Sequence, residues 1–289
     1  MRILYLECAM GAAGDMLMAA LYELCSQADR AKFLADMNAL LPGVAVRPQA
    51  ARRQGIAGTH MSVLVHGREE GEPHGHDHDH HHGHEHDHEH PHGHEHDHDH
   101  GHSHTHQHRS LADVLAVIDG FSLPAEIRER AKTVYALIAQ AESRAHGVPV
   151  GEVHFHEVGA LDAVVDGTGV CYLAHLLAPD EVACSPVAVG SGTVRTAHGL
   201  LPVPAPATAH LLEGVPVTTG EVEAELCTPT GAALLKTLAD SFRPMPAGRV
   251  LGCGYGCGTK DFPRANCLRA FLLDTAGSAQ GPNDTVTEL

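Results

Sequence analysis

Met1-Arg2-Ile3-Leu4-Tyr5-Leu6-Glu7-Cys8-Ala9-Met10-Gly11-Ala12-Ala13-Gly14-Asp15 opens the chain and decides its class. Ile3-Leu4-Tyr5-Leu6 reads as a short buried strand. A glycine loop follows. From about Met16, the residues Leu17, Ala20, Leu21 and Leu24 fall on one helical face. Strand, loop and helix in that order form a βα unit, and the expected fold is an α/β domain with a mixed sheet and flanking helices, with α+β as the alternative. The free N–H groups of such a helix start can receive an anion, which makes Gly11, Gly14 and Asp15 candidate substrate contacts. The spacing is neither GxGxxG nor a Walker loop. An ordinary turn with Asp15 favoured by the helix dipole accounts for the residues as well.

Composition narrows the classes. The 289 residues are 43% hydrophobic, enough for one large domain or two small ones. The net charge of −17 argues against a nucleic-acid partner. The eight Cys are scattered without a CxxC pair, which predicts a reducing, cytoplasmic compartment. No apolar run reaches the ~20 residues of a membrane span, and no clean signal peptide opens the chain.

The organisation follows from one low-complexity insert. From His74 to His108 the sequence holds 19 His and 8 Asp/Glu, with no Lys or Arg. With nothing apolar to bury, it cannot offset the entropy of ordering its backbone. The expectation is a domain whose N-terminal part is 1–70 and whose remainder is 110–275. A disordered, metal-binding His loop at 71–109 interrupts it, and a flexible tail follows at 276–289. Neutral imidazole suits Ni, Zn, Cu and Fe.

The ordered parts carry further signals. A helix is expected over about Ala31–Leu40, with strands at Val44–Val46 and His60–His66. Ser110 with Asp113 forms a capping box, Pro124 begins a long amphipathic helix that stops at Gly147, and Thr228-Pro229 caps another. A last strand runs Cys267–Leu273.

Three segments are dense in chemistry. In Val153-His154-Phe155-His156-Glu157-Val158-Gly159-Ala160-Leu161-Asp162, an extended start points His154 and His156 the same way. In the helix that follows, Asp162 and Asp166 share a face. Convergence on one borderline divalent ion is one reading; a surface turn with solvated acids is the other. The loop Gly190–Gly199 gathers Ser191, Thr193, Arg195 and His198, in which Arg195 can fork onto a carboxylate or phosphate. The glycine-alternating stretch Gly252–Asp261 contains Lys260 and a CxxxC. There, glycines mark close approach of a ligand or of neighbouring backbone.

Taken together, these separated segments resemble the nickel insertion proteins of the LarC family. The resemblance is carried by Cys8 with Gly11–Met16, the internal His loop, His154–Asp162, Thr193–Gly199, Thr228-Pro229-Thr230-Gly231 and Gly254–Pro263. Two departures are Glu7, where the family usually has Asp, and the cysteines Cys253 and Cys257. The resemblance implies insertion of Ni(II) into pyridinium-3,5-bisthiocarboxylic acid mononucleotide, with one nickel–carbon and two nickel–sulfur bonds formed. It further implies use of CTP with a divalent cation, bound by a C-terminal partner domain that begins near the end of this chain.

On that reading the mononucleotide contacts are Gly11, Gly14, Asp15, Ser191, Thr193, Arg195, Thr228, Thr230 and Lys260. The nickel ligands are drawn from His154, His156, Asp162, Asp166 and His198. The base that takes the ring proton is Glu157 or His156. A homo-oligomer is compatible with the sequence. The competing class is a non-catalytic nickel storage or delivery protein, for which the His loop alone would suffice. A zinc hydrolase lacks an HExxH-type third ligand.

Overall fold

The structure, a computed structural model, describes residues 1–69, 109–155, 158–196 and 198–275. The His-rich stretch, His156, Glu157 and the C-terminal tail lie outside the described residues.

The elements, in order, are β1 (Arg2–Glu7), α1 (Gly14–Leu24), α2 (Gln27–Asn38), β2 (Val44–Arg53), β3 (Ile56–Val65), β4 (Arg68–Glu69), β5 (Arg109–Ser110), α3 (Leu111–Asp119) and α4 (Ala125–His146). There follow β6 (His154–Phe155), α5 (Leu161–Leu177), β7 (Glu181–Cys184), β8 (Val187–Ala188), β9 (Thr193–Thr196), β10 (Gly199–Pro202) and α6 (Pro206–Leu211). The chain ends through β11 (Val217–Thr218), α7 (Pro229–Leu238), β12 (Ser241–Phe242), β13 (Arg249–Cys257) and β14 (Cys267–Asp274).

The main sheet runs β12-β7-β1-β14-β13-β3-β2, with β4 added to β3. β1 is parallel to β7 and antiparallel to β14, so the sheet is mixed, in an α/β fold as the opening stretch predicts. Both faces of β1 are covered. Leu4 and Leu6 join the main core under the helices, and Ile3 and Tyr5 join a second cluster with Ala183 and Leu273. Burial on both faces is why this strand reads as an unbroken apolar run.

Helix α1 lies against β13, β14 and β3 and is backed by α5, which in turn touches α2, α4 and α7. The alternating glycines of β13 make this packing possible. A Cβ on Gly254 would stand 2.0 Å from the Ala20 carbonyl oxygen, and one on Gly256 would stand 1.8 Å from that of Met16. The close neighbour of the glycine ladder is therefore the backbone of α1.

Local caps match the sequence well. Ser110 and Asp113 form the full capping box, Gly147 ends α4 with φ +67, and the Thr228 hydroxyl accepts from the Gly231 amide at 3.1 Å. Helix α2 starts earlier than the expected Ala31, because the Ser26 hydroxyl accepts from the Asp29 amide and caps it there. The expected short strands at 44–46 and 60–66 extend into one long hairpin. Its tip is Gln54-Gly55, both at positive φ (47 and 81), the turn geometry that suits the twist of two paired strands. The half of the hairpin nearest this tip is exposed or half-buried and carries Arg52 and Arg53, so it shows little apolar alternation.

Candidate functional site: a two-chamber cleft

Three loops from distant parts of the chain are stitched together by main-chain hydrogen bonds. The Ala12 amide donates to the Leu226 carbonyl at 3.0 Å, and the Thr228 amide returns a bond to the Ala12 carbonyl at 3.0 Å. On the other side the Leu226 amide donates to Val189 at 3.1 Å. The segment before α7 is thus clamped between the Gly11 loop and the Gly190 loop. Gly11 has φ +78, and a Cβ there would fall 1.9 Å from the Leu226 oxygen. This glycine serves a backbone-to-backbone approach.

On one side of the clamped segment lies a small cavity of about 90 Å³, reached by Asp15, Glu225, Thr228, Lys260 and Asn266. It is bounded by the start of α1, whose N-cap Ala13 offers no side-chain bond, and by the cap of α7. The loop carrying Lys260 is held in place by Arg53, which donates to the Gly258 carbonyl at 2.9 Å. The Asn266 amide nitrogen donates to the Lys260 carbonyl at 2.9 Å. His60 Nδ1 stands 3.7 Å from the Asp15 carboxylate and 3.0 Å from the Cys257 carbonyl.

On the other side lies a larger cavity of about 340 Å³, lined by Glu142, His146, His154, Thr196, His198 and Glu225 among others. The His146 and His198 rings are 4.7 Å apart, centroid to centroid, and His146 Nε2 is 3.3 Å from the Glu142 carboxylate one helical turn away. A carboxylate on one ring nitrogen is the arrangement that orients a metal-ligating imidazole.

The sequence candidates divide accordingly. Asp15, Thr228 and Lys260 meet at the small cavity, and His154 and His198 at the large one. Asp162 and Asp166 sit at the start of α5 and are not among the residues lining either cavity. The Asp162 carboxylate accepts from the Ala163 amide at 2.8 Å, and the Asp166 side chain packs against Gly14. Both acids, after burial itself, push the Tyr135 phenol well above its ordinary range. Ser191 donates to the Val222 carbonyl. Thr193 and Arg195 are exposed on β9, whose alternate residues Val194 and Thr196 line the large cavity. Thr230 is buried in the first turn of α7, and Gly14 is buried at the start of α1.

Sequence reasoning missed Glu142, His146, Glu225 and Asn266. A usable signal existed for the first two, an i,i+4 Glu/His pair in the last turn of a helix that the Gly147 cap already located. For Glu225 the only hint is its place just ahead of the Thr228 cap.

Among the described residues, no group of three or more His, Cys, Asp or Glu is placed to hold a metal ion. Two of the thiols behind the clamped loops, Cys8 and Cys227, are both fully buried. Cys227 is pushed up to about 12 by burial, and Cys8 is raised well above the thiol range by its contact with Cys184 and by burial. The family departure at Glu7 is accommodated by an ion pair, with Arg269 Nη2 2.6 Å from Glu7 Oε1. No helix among the described residues is long and apolar enough to cross a membrane.

Fold and cleft together define an α/β domain with a two-chamber cleft, imidazoles and carboxylates lining one chamber and a lysine the next. The chain belongs to the nickel insertion protein family, whose profile matches residues 4–289. A protein of Geotalea daltonii named for nickel insertion is 36% identical across all of this chain, and one of Dictyoglomus thermophilum is 35% identical across the same extent. The pyridinium-3,5-bisthiocarboxylic acid mononucleotide nickel insertion protein of Staphylococcus saprophyticus is 35% identical over 93% of the chain. The chain spans 65% of the length of the first two relatives and 59% of the third. No solved structure gives a significant match.

Proposed function

We propose that this chain carries the nickel and mononucleotide sites for nickel insertion into pyridinium-3,5-bisthiocarboxylic acid mononucleotide. The observation that carries the reading is the meeting of two unlike chambers at Glu225, the one described residue that lines both. The large chamber has the donors for Ni(II), a borderline ion that imidazole suits. The small chamber offers Lys260 and the open start of α1 to a phosphate.

The chemistry follows from the substrate. Its two thiocarboxylates flank one ring carbon, so nickel taken up by both sulfurs is held against that carbon. Bond formation there breaks the carbon–hydrogen bond, its electron pair goes to nickel, and a base accepts the proton. His156 or Glu157, which adjoin His154 in the chain, are assigned that role in this proposal. A C-terminal partner domain belongs to the same proposal, supported by the relatives' greater length, and CTP with its divalent cation and a cytoplasmic location are proposed with it.

The test is nickel insertion followed by mass spectrometry. The chain is supplied with the C-terminal portion that the relatives carry, together with CTP. A His154→Ala/His156→Ala variant loses product. Deleting residues 74–108 spares turnover at saturating nickel and slows it when nickel is scarce. If that deletion instead removes all nickel binding and the intact protein makes no product, the chain is a nickel store or carrier.

A further inference from the structure

Cys257 ends β13, Cys267 begins β14, and the two stand directly opposite each other across the antiparallel pair. Their sulfurs are 3.2 Å apart and both thiols are free. The Gly258 amide donates to the Asn266 carbonyl at 3.0 Å, so the neighbouring pair is the hydrogen-bonded one. The cysteines therefore occupy a non-hydrogen-bonded position, where side chains come closest and Cα atoms are about 4.5 Å apart. That separation lies within the span of a disulfide.

The pair closes the base of the loop 258–266. Gly258, Thr259, Lys260, Phe262 and Asn266 of this loop all line the small cavity. We infer that Cys257 and Cys267 are a redox modification site, a dithiol that closes to a reversible disulfide and staples the loop carrying Lys260. Arg53, bonded to the Gly258 and Thr259 carbonyls, favours thiolate at both sulfurs, and Glu23 opposes it. The shared S–H···S contact holds Cys257 below the usual thiol range and Cys267 far above it.

Two other pairs do not match this geometry. Cys253 lies four residues before Cys257 on the same strand, about 13 Å away at strand rise, so the CxxxC spacing serves neither a disulfide nor a shared ion. Cys8 and Cys184 are 3.6 Å apart and fully buried, and the contact with Cys184 and then burial raise the Cys8 thiol well above the usual range.

A small peroxide is the oxidant that suits a buried pair. The Cys257 sulfur takes one peroxide oxygen as the O–O bond breaks, which gives a sulfenic acid and one water. The Cys267 sulfur then displaces that oxygen, the S–S bond forms, and a second water leaves. The two sulfurs give up two electrons and two protons in all, and a dithiol reductant restores both thiols.

The experiment uses the whole chain, reduced, exposed to stoichiometric hydrogen peroxide, alkylated and mapped by peptide mass without reduction. The expected result is a 257–267 linked peptide two hydrogens lighter, reversed by dithiothreitol, with Cys8 and Cys184 unlinked. Amide exchange across 258–266 slows severalfold in the oxidised form. Recovery of Cys257 and Cys267 as thiols or as sulfinic acid overturns the inference, as does a Cys8–Cys184 link forming equally fast. A link without slower exchange overturns the stapling. Cys257→Ser and Cys267→Ser each abolish the link, and the wild-type map stands whether or not those variants fold.

Discussion

The two chambers of the cleft share Glu225 and little else in how they are built. The small one is framed by main chain, with carbonyls and amides of three loops bonded to one another and Arg53 and Asn266 bonded to carbonyls. The large one is framed by long side chains projecting from the ends of α4, β6 and the β9–β10 turn. A main-chain frame tolerates almost no change in volume, because a carbonyl cannot rotate away as a side-chain end can. A side-chain frame can give up one ligand without unfolding. The difference separates residues that hold the cleft from residues that use it.

The largest expected effect tests the main-chain frame. Gly190 has φ +90, and a Cβ there would stand 1.8 Å from the Ala224 carbonyl oxygen. Gly190→Ala must move backbone as well as adopt a disfavoured φ, and it is expected to cost on the order of 3–5 kcal/mol. Gly199 also has positive φ (+96), but nothing lies within 4 Å of its Cβ position. Gly199→Ala should cost only about 1–2 kcal/mol, from the backbone alone. Urea unfolding of the two variants checks this, and equal losses would mean that the clamp at Gly190 can relax.

The next effect separates the chambers by ligand. In the chain lacking residues 74–108, His146→Ala/His198→Ala should weaken nickel binding by about tenfold or more, roughly 1.4 kcal/mol, and leave phosphate binding unchanged. Lys260→Ala should do the reverse, by a similar factor for loss of a charge-assisted contact. Calorimetric titration with nickel and with inorganic phosphate reads both. If either variant weakens both ligands alike, the two chambers are one site.

The same contrast explains what the sequence made legible. The caps at Ser110, Gly147 and Thr228 were readable because each needs only a few adjacent residues. So was β1, whose apolar run reports burial on both faces. The glycines of β13 were readable as close-approach positions, but not which backbone approached them, since α1 precedes them by more than 200 residues. His154 and His198 were picked out as chemical types. Glu142 and Glu225 are ordinary acids until the fold brings their segments beside those histidines. Thr193 and Arg195 belong to a chemically rich loop, yet strand alternation puts them on the face away from the lining residues Val194 and Thr196.

The smallest expected effect is a pH dependence that only the side-chain frame should show. Arg144, near the end of α4, holds both Glu213 carboxylate oxygens at 2.7 Å. Glu213 follows α6, whose first residues Pro206 and Ala207 also line the large cavity. First this bond and then that of His210 pull the Glu213 carboxyl down to about 2 from the usual 4.5. A carboxylate with a lowered folded value binds its proton more readily in the unfolded chain. Its contribution is therefore complete above the unfolded value and is lost as pH falls from about 4.5 to about 2. The pair is exposed and screened by salt, so the contribution is small. Wild type should melt slightly above Glu213→Gln at pH 7, and the gap should close across that acid window and in high salt. Amides near the end of α4 should lose protection in the same window before those of the loop 258–266, whose frame depends on main-chain carbonyls. Simultaneous loosening of both regions would show that the two walls of the cleft open as a single unit.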